Sequence, residues 1–312
     1  MLVSWRWCHL ISSPQLILDW KPPKSASSFF FRRYSALESD RIKFNFVSLN
    51  EPLPNRRRPM ISLDFVSDPS GIKISQSCGG LLLCSSSSSM MDSDDTRYYV
   101  YNPTTKRYTA IPRPRSSREQ YNVILSMNLA FDPSVSLHYK VLCVCSNGSP
   151  SSPHKTDVYS SDTGKWVLST ASFDDSCGAL FENGIFLNGK IHWPSCSETS
   201  IYYDLNRAKV LQMPMPMPVS WSGGLRRFEE SGGRLLFVSF SEPRNTQFDV
   251  FEMQRDYSTW FLKYRVDLQV GAAAFPGLLS SPYRDCDFDS IVLRPWMTIH
   301  RCMETLSYGD VG

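Results

Sequence analysis

The stretch from Tyr98 to Pro112 constrains the fold more than any other. Tyr98-Tyr99-Val100-Tyr101 runs into Asn102-Pro103-Thr104-Thr105-Lys106, and Arg107-Tyr108-Thr109-Ala110-Ile111-Pro112 leaves it. Aromatic and β-branched residues suit a pleated, half-buried surface, and the polar stretch between them supplies turn chemistry. The spacing predicts a β-hairpin with a loop of about three to five residues. The pattern returns at Val158–Trp166, at Tyr202–Val210 and, more loosely, at Val250–Trp260. With Tyr101, Tyr159, Tyr203 and Phe251 taken as equivalent, the copies lie 58, 44 and 48 residues apart.

Further strands are expected between the copies, at Val141–Cys145, Gly184–Trp193 and Leu235–Phe240. Asn188-Gly189 between apolar arms is the strongest short hairpin signal in the chain. Ile72-Lys73-Ile74, Gly79-Gly80 and Leu81-Leu82-Leu83-Cys84 read as a strand, a tight turn and a buried strand. Upstream, Phe29–Tyr34 and Arg41–Leu49 are strand candidates. Repeats of this length, each with several strands, point to the blades of an all-β propeller. One small sheet cannot bury both its faces, and stacking sheets around an axis solves that. A β-sandwich is the runner-up.

Composition narrows function mainly by exclusion. Of 312 residues, 42% are hydrophobic and 13% aromatic, too many for a wholly disordered chain. The net charge of +3 gives no general case for a nucleic-acid partner. Residues 1–60 carry ten Lys/Arg against four Asp/Glu, which leaves 23 against 26, or −3, for residues 61–312. No apolar run approaches the ~18 residues of a membrane span. Nine scattered cysteines without a Cys-x-x-Cys pair read as reduced, mostly buried thiols of a cytoplasmic or nuclear protein. Cys143 and Cys145 have the i, i+2 spacing that puts both thiols on one strand face.

Catalytic and metal constellations do not stand out. Neither a nucleophile elbow, a phosphate loop, a dinucleotide fingerprint nor a paired-histidine helix is found, so no catalytic residue, metal site or cofactor is assigned. His192 beside Trp193 reads as a structural histidine, and Asp174-Asp175 and Asp285/Asp287/Asp289 as solvated turns or edges. Met213-Pro214-Met215-Pro216-Met217-Pro218 forbids a central strand and reads as a surface connection between blades. Trp221, Tyr257, Trp260 and Tyr283 are aromatics that could line a binding face or fill the core.

At the N-terminus, Val3, Trp7, Leu10 and Ile11 fall on one face of a short helix that Pro14 ends. Val3-Ser4-x-Arg6-Trp7-x-x-Leu10-Ile11-Ser12-Ser13-Pro14 is like the second half of an F-box. Ser77–Cys84, Tyr101–Lys106, Ala130–Pro133 with Tyr139-Lys140-Val141, Tyr159–Trp166 and Asn188–Trp193 follow in order. Together these segments resemble the plant F-box proteins that carry an F-box-associated, kelch-related β-propeller domain.

The resemblance implies a non-enzymatic substrate receptor of a SKP-cullin-F-box ubiquitin ligase. The F-box would dock on a SKP-family adaptor joined to the cullin, and the β domain would hold an unknown protein target. Alternatives are a stand-alone propeller interaction module and a kelch-like enzyme such as a copper oxidase or glycan hydrolase. The match starts part-way into the F-box motif, so a truncated F-box is expected, with adaptor contacts resting on Val3, Trp7, Leu10 and Ile11. One such helix falls short of the ~1,000 Å² of a specific interface, so the adaptor contact would be weakened or lost. The expected organisation is an F-box remnant over residues 1–20, a linker with first strands over 21–60, the propeller over 61–294, complete or lacking its last strand, and an atypical tail over 295–312.

Overall fold

A computed structural model of the chain describes residues 71–86, 96–114, 123–149, 152–174, 176–216, 226–240 and 247–267, with Leu63, Phe65 and Val66. Upstream it describes the backbone of three strands: β1 (Ser28–Arg33), β2 (Lys43–Ser48) and β3 (Met60–Ile61), an antiparallel sheet in that order. These match the two strands expected between residues 29 and 49. The F-box-like helix, Trp221, Tyr283, Asp175, the Asp285–Asp289 group and the 295–312 tail lie outside the described residues.

Four antiparallel four-stranded meanders follow. The first holds β4 (Ile72–Cys78), β5 (Leu81–Ser86), β6 (Tyr98–Asn102) and β7 (Arg107–Ile111). The second holds β8 (Val123–Ala130), β9 (Lys140–Ser146), β10 (His154–Ser160) and β11 (Lys165–Phe173). The third holds β12 (Ile185–Leu187), β13 (Lys190–Trp193), β14 (Thr199–Asp204) and β15 (Lys209–Pro214). The fourth holds β16 (Arg226–Ser231), β17 (Arg234–Phe240), β18 (Gln247–Met253) and β19 (Trp260–Asp267). Each sheet pairs only with its own strands, in chain order, and the first strands β4, β8, β12 and β16 meet in succession. These are four successive propeller blades, each packed on the next, and not the two sheets of a sandwich among the described residues. The hairpin at Tyr98–Pro112 and its three copies are the third and fourth strands of the blades.

Blade stacking explains the unbroken apolar runs. Along β9, Val141, Cys143 and Cys145 pack with the first blade, while Leu142 and Val144 pack with the third. Both faces are buried, so the alternation of a half-exposed strand disappears. The outermost strands are different. Tyr108 on β7, Val167 and Leu168 on β11, and Phe261 and Leu262 on β19 are exposed.

Polar side chains tie neighbouring blades together. The Gln76 amide accepts from Leu129 N–H at 2.6 Å and donates to the Leu129 carbonyl at 3.2 Å. Buried Asn128 accepts from the Trp193 indole at 2.8 Å and donates to the Phe181 carbonyl at 3.4 Å. The Trp260 indole donates to the Pro214 carbonyl at 2.7 Å. Each bond satisfies a polar group that packing would otherwise strand away from water.

The Met-Pro run departs from expectation. Met213 and Met215 are almost wholly buried against the fourth blade, and Pro214 is the last residue of β15. β15 is an edge strand, where proline costs no ladder bond, and the alternation of Met and Pro turns thioethers inward. Residues 213–216 are a buried seam between blades and not a surface connection.

Candidate protein-interaction face

The turns joining first to second strands, and third to fourth, share one end of each meander. The second strand pair shows how this end is organised. Asn102 Oδ1 accepts from the N–H groups of Thr104 and Thr105 at 3.0 and 3.1 Å, and Lys106 closes the turn at φ 56°. Asp204 Oδ1 does the same for Asn206 and Arg207 at 2.9 and 3.0 Å, with Ala208 at φ 51°. The first and second strands of the third blade meet at Asn188-Gly189, both at positive φ, the geometry of a type I′ turn.

Contacts between turns place them on a common face. Cys78 Sγ lies 3.3 Å from both the N–H and the carbonyl of Phe131, joining the β4–β5 turn to the β8–β9 loop. Ser161 N–H donates to the Tyr139 carbonyl at 3.0 Å, and Leu205 N–H to the Gly189 carbonyl at 3.0 Å.

An aromatic cluster sits on this face between the third and fourth blades. Tyr257, in the β18–β19 loop, has φ 62°, a region costly for an aromatic residue. Its ring stacks on Tyr202 at 4.9 Å and lies nearly parallel to the His192 ring at 5.5 Å. His192 Nε2 is 2.7 Å from the Tyr257 hydroxyl, and Nδ1 is 3.4 Å from the Ile185 carbonyl. A neutral ring satisfies both contacts: Nδ1–H donates to the carbonyl, and Nε2 accepts the tyrosine proton. Burial holds the His192 pKa down at about 3, with Lys190 adding to the effect. Burial likewise pushes the Tyr257 phenol up to about 12, with Tyr202 and Asp204 adding to it. Lys190 Nζ lies 4.5 Å from the Tyr257 ring centre and 5.4 Å from that of Tyr202, within cation–π range. The strained backbone is thus held by a hydrogen bond, two stacked rings and a cation.

The aromatics singled out from sequence separate here. Tyr257 stands on the face, whereas Trp260 packs on Phe228 and Phe237 in the core between blades. His192 is structural, buried and satisfied. Val3, Trp7, Leu10 and Ile11 fall outside the described residues. Sequence reasoning missed the His192–Tyr257 pair, which spans 65 positions and has no local signal.

The buried cysteines are held as thiols. Cys143 and Cys145 touch at 3.3 Å on one strand face, both buried, and burial drives the Cys143 thiol well above its ordinary range. Cys84 is pushed up to about 12 by the same cause. Such thiols are poor nucleophiles. Among the described residues, no group of three His, Cys, Asp or Glu converges as a metal site would require. Among the same residues, no helix is long and apolar enough to cross a membrane.

Comparison with known proteins agrees with the blade architecture. Residues 51–303 match the family model described as F-box protein At3g26010-like, beta-propeller. F-box protein At5g07610 of Arabidopsis thaliana is 33% identical over 301 residues, covering 90% of this chain and 69% of that protein. F-box protein At5g49610 of the same plant is 26% identical, covering 70% of this chain and 62% of its own length. Among solved structures, a copper-bound fungal alcohol oxidase aligns at 10% identity with a TM-score of 0.44, over 77% of this chain and 51% of its own, too slight a likeness to bear on chemistry. The repeated blades, the inter-blade ties and the sequence match over most of the chain together identify it as a member of the F-box protein At3g26010-like β-propeller family.

Proposed function

We propose that this protein is the substrate-recognition component of a SKP-cullin-F-box ubiquitin ligase, holding a protein target on its propeller. The observation that carries the reading is the 33% identity to an F-box protein over 90% of the chain. Support comes from the build of the domain. Four stacked blades make a rigid platform, turns crowd one face of it, and the buried thiols and neutral His192 favour binding over catalysis. The protein itself performs no chemistry on this reading. It raises the effective concentration of a target near a ubiquitin-loaded enzyme supplied by other subunits. Val3, Trp7, Leu10 and Ile11 form the apolar stripe that meets the SKP-family adaptor, and the protein works in the cytoplasm, the nucleus or both.

The test is co-precipitation of the SKP-family adaptor with the full chain, beside a double variant Trp7→Ala/Leu10→Ala. The expected result is weak adaptor capture that the double variant abolishes. Absence of capture by the wild-type chain, with targets still bound, would instead establish a stand-alone interaction module.

A further inference from the structure

We propose that the turn face carries a basic rim that docks an acidic segment of the protein target, one in which acidic residues are punctuated by apolar ones. The inference rests on the receptor reading above and adds the chemical class of what is received.

The first observation is a charge repeated by the fold. Arg107, Lys165 and Lys209 occupy the same position in three consecutive blades, the first residue of the outermost strand. Each pairs across the hairpin with the residue that opens its turn, Asn102, Ser160 and Asp204 respectively. Lys106, Arg207 and Arg255 add charge on the turns beside them. All six are exposed. Of the six, only Arg207 has an ion-pair contact among the described residues, a loose one at 4.0 Å to Asp204. The acids of the same turns are engaged locally. Asp204 accepts two turn N–H groups, Asp256 accepts from the Ser258 N–H at 3.1 Å and hydroxyl at 2.7 Å, and Asp162 lies 3.6 Å from His138. Residues 61–312 carry a net −3, so this rim runs against the charge of its own domain.

The second observation is apolar and independent of charge. Tyr108 follows Arg107 and is 47% exposed; Val167 and Leu168 lie two and three residues after Lys165 at 64% and 52%; Phe261 and Leu262 are the second and third residues of the corresponding strand of the fourth blade at 45% and 46%. Val135, in the loop between β8 and β9, is 79% exposed on the same face. Cations stand beside exposed apolar side chains on the outermost strands of the first two blades, and the third adds a cation and the fourth an apolar pair, a mixture that complements a peptide combining carboxylates with apolar residues. A nucleic-acid backbone offers uniform charge, and exposed Val135, Val167, Leu168 and Leu262 give its bases no ring to stack on.

The test uses the full chain against an array of 12-residue peptides in acidic, neutral and basic sets of equal hydrophobic content. The best acidic peptide is then measured by fluorescence anisotropy, against wild type and the triple variant Arg107→Glu/Lys165→Glu/Lys209→Glu. These side chains are exposed, so unchanged melting of the variant verifies its fold. The expected result is preference for the acidic set, weakening with salt, and about a tenfold or greater loss of affinity in the variant. Equal binding to all three sets, an unchanged variant, or tighter binding to a labelled single-stranded RNA would overturn the proposal. Proximity labelling in cells separates this inference from the one beneath it. If wild-type partners accumulate when the ligase is blocked and the triple variant keeps all of them, the receptor reading stands and the acidic rim falls. If no wild-type partner accumulates, the receptor reading fails whatever the peptides show.

Discussion

The indole of Trp166, at the start of β11, donates to the carbonyl of Pro112, just past β7, at 2.6 Å. One blade pair further on, Trp260 at the start of β19 makes the same bond to Pro214 at 2.7 Å. The bond joins the outermost strands of adjacent blades at the first–second and third–fourth interfaces, so it helps hold the outer edges of those blade pairs together.

Trp260→Phe keeps most of the ring in the inter-blade core and removes the donor. The Pro214 carbonyl then loses its partner, at a cost of about 1–2 kcal/mol. For a domain of this size that corresponds to a melting temperature lower by roughly 2–8 °C. Trp166→Phe, in a wetter setting, should cost less. Calorimetry on both variants checks the order, and equal or negligible losses would show that the indoles only pack.

Gly79 and Gly80 turn the corner between β4 and β5 at φ 56° and 91°. A Cβ on Gly79 would lie 2.5 Å from Phe131 Cδ1 and 2.7 Å from the Phe131 carbonyl, whereas one on Gly80 meets nothing within 4 Å. Gly80→Ala therefore bears only the left-handed backbone penalty of about 1–2 kcal/mol. Gly79→Ala bears that and a clash with the next blade's backbone, and should unfold at clearly lower denaturant. Urea titrations of the two variants compare them directly.

Two buried titratable groups set opposite pH dependences. Burial pushes Glu229 up from 4.5 to about 7, against the pull of Arg227, and holds His192 down from 6.5 to about 3. Between these values for Glu229 the unfolded chain has released the proton that the folded chain keeps, so stability falls as pH rises from 4.5 to 7. For His192 the unfolded chain holds the extra proton, so stability rises with pH from 3 to 6.5. The two slopes oppose each other where the windows overlap. Glu229→Gln removes one of them. Relative to wild type, it should gain on the order of 3 kcal/mol as pH rises from 4.5 to above 7. A stability difference that is independent of pH would contradict the burial assigned to Glu229.

Tyr257→Phe deletes the hydroxyl that meets His192 Nε2 while leaving the stacked rings. A buried ring nitrogen is left without its donor, so a loss of about 1–3 kcal/mol is expected. The same variant should also raise the His192 pKa little, because burial and not the hydroxyl is its main cause. Chemical denaturation and the imidazole NMR titration read these two effects separately.

What the sequence disclosed was local. The hairpins at β6–β7, β10–β11 and β14–β15 were legible because Asn102, Gly164 and Asp204 write their turns into adjacent residues. The Asn188-Gly189 turn was legible for the same reason. What joins blades was not. The strand β8 carries Ser126 and Asn128 where an apolar strand pattern is sought, and Asn128 makes sense only beside Trp193, 65 positions on. Met213-Pro214-Met215 looked like a surface linker because proline signals turns and edges, yet its methionines fill a cavity that only the fourth blade creates. The candidate face was legible in its turns and invisible in its charge. Arg107, Lys165 and Lys209 form a set only once the hairpins are superposed as blades.

Receptor function comes down to the fate of whatever the propeller holds. The most direct measurement is proximity labelling from the full chain in plant cells, with the labelled proteins quantified before and after cullin-type ligase activity is blocked. At least one labelled protein should accumulate on blocking and should do so less in cells lacking this chain. Labelled partners whose levels do not respond to blocking would contradict the receptor function.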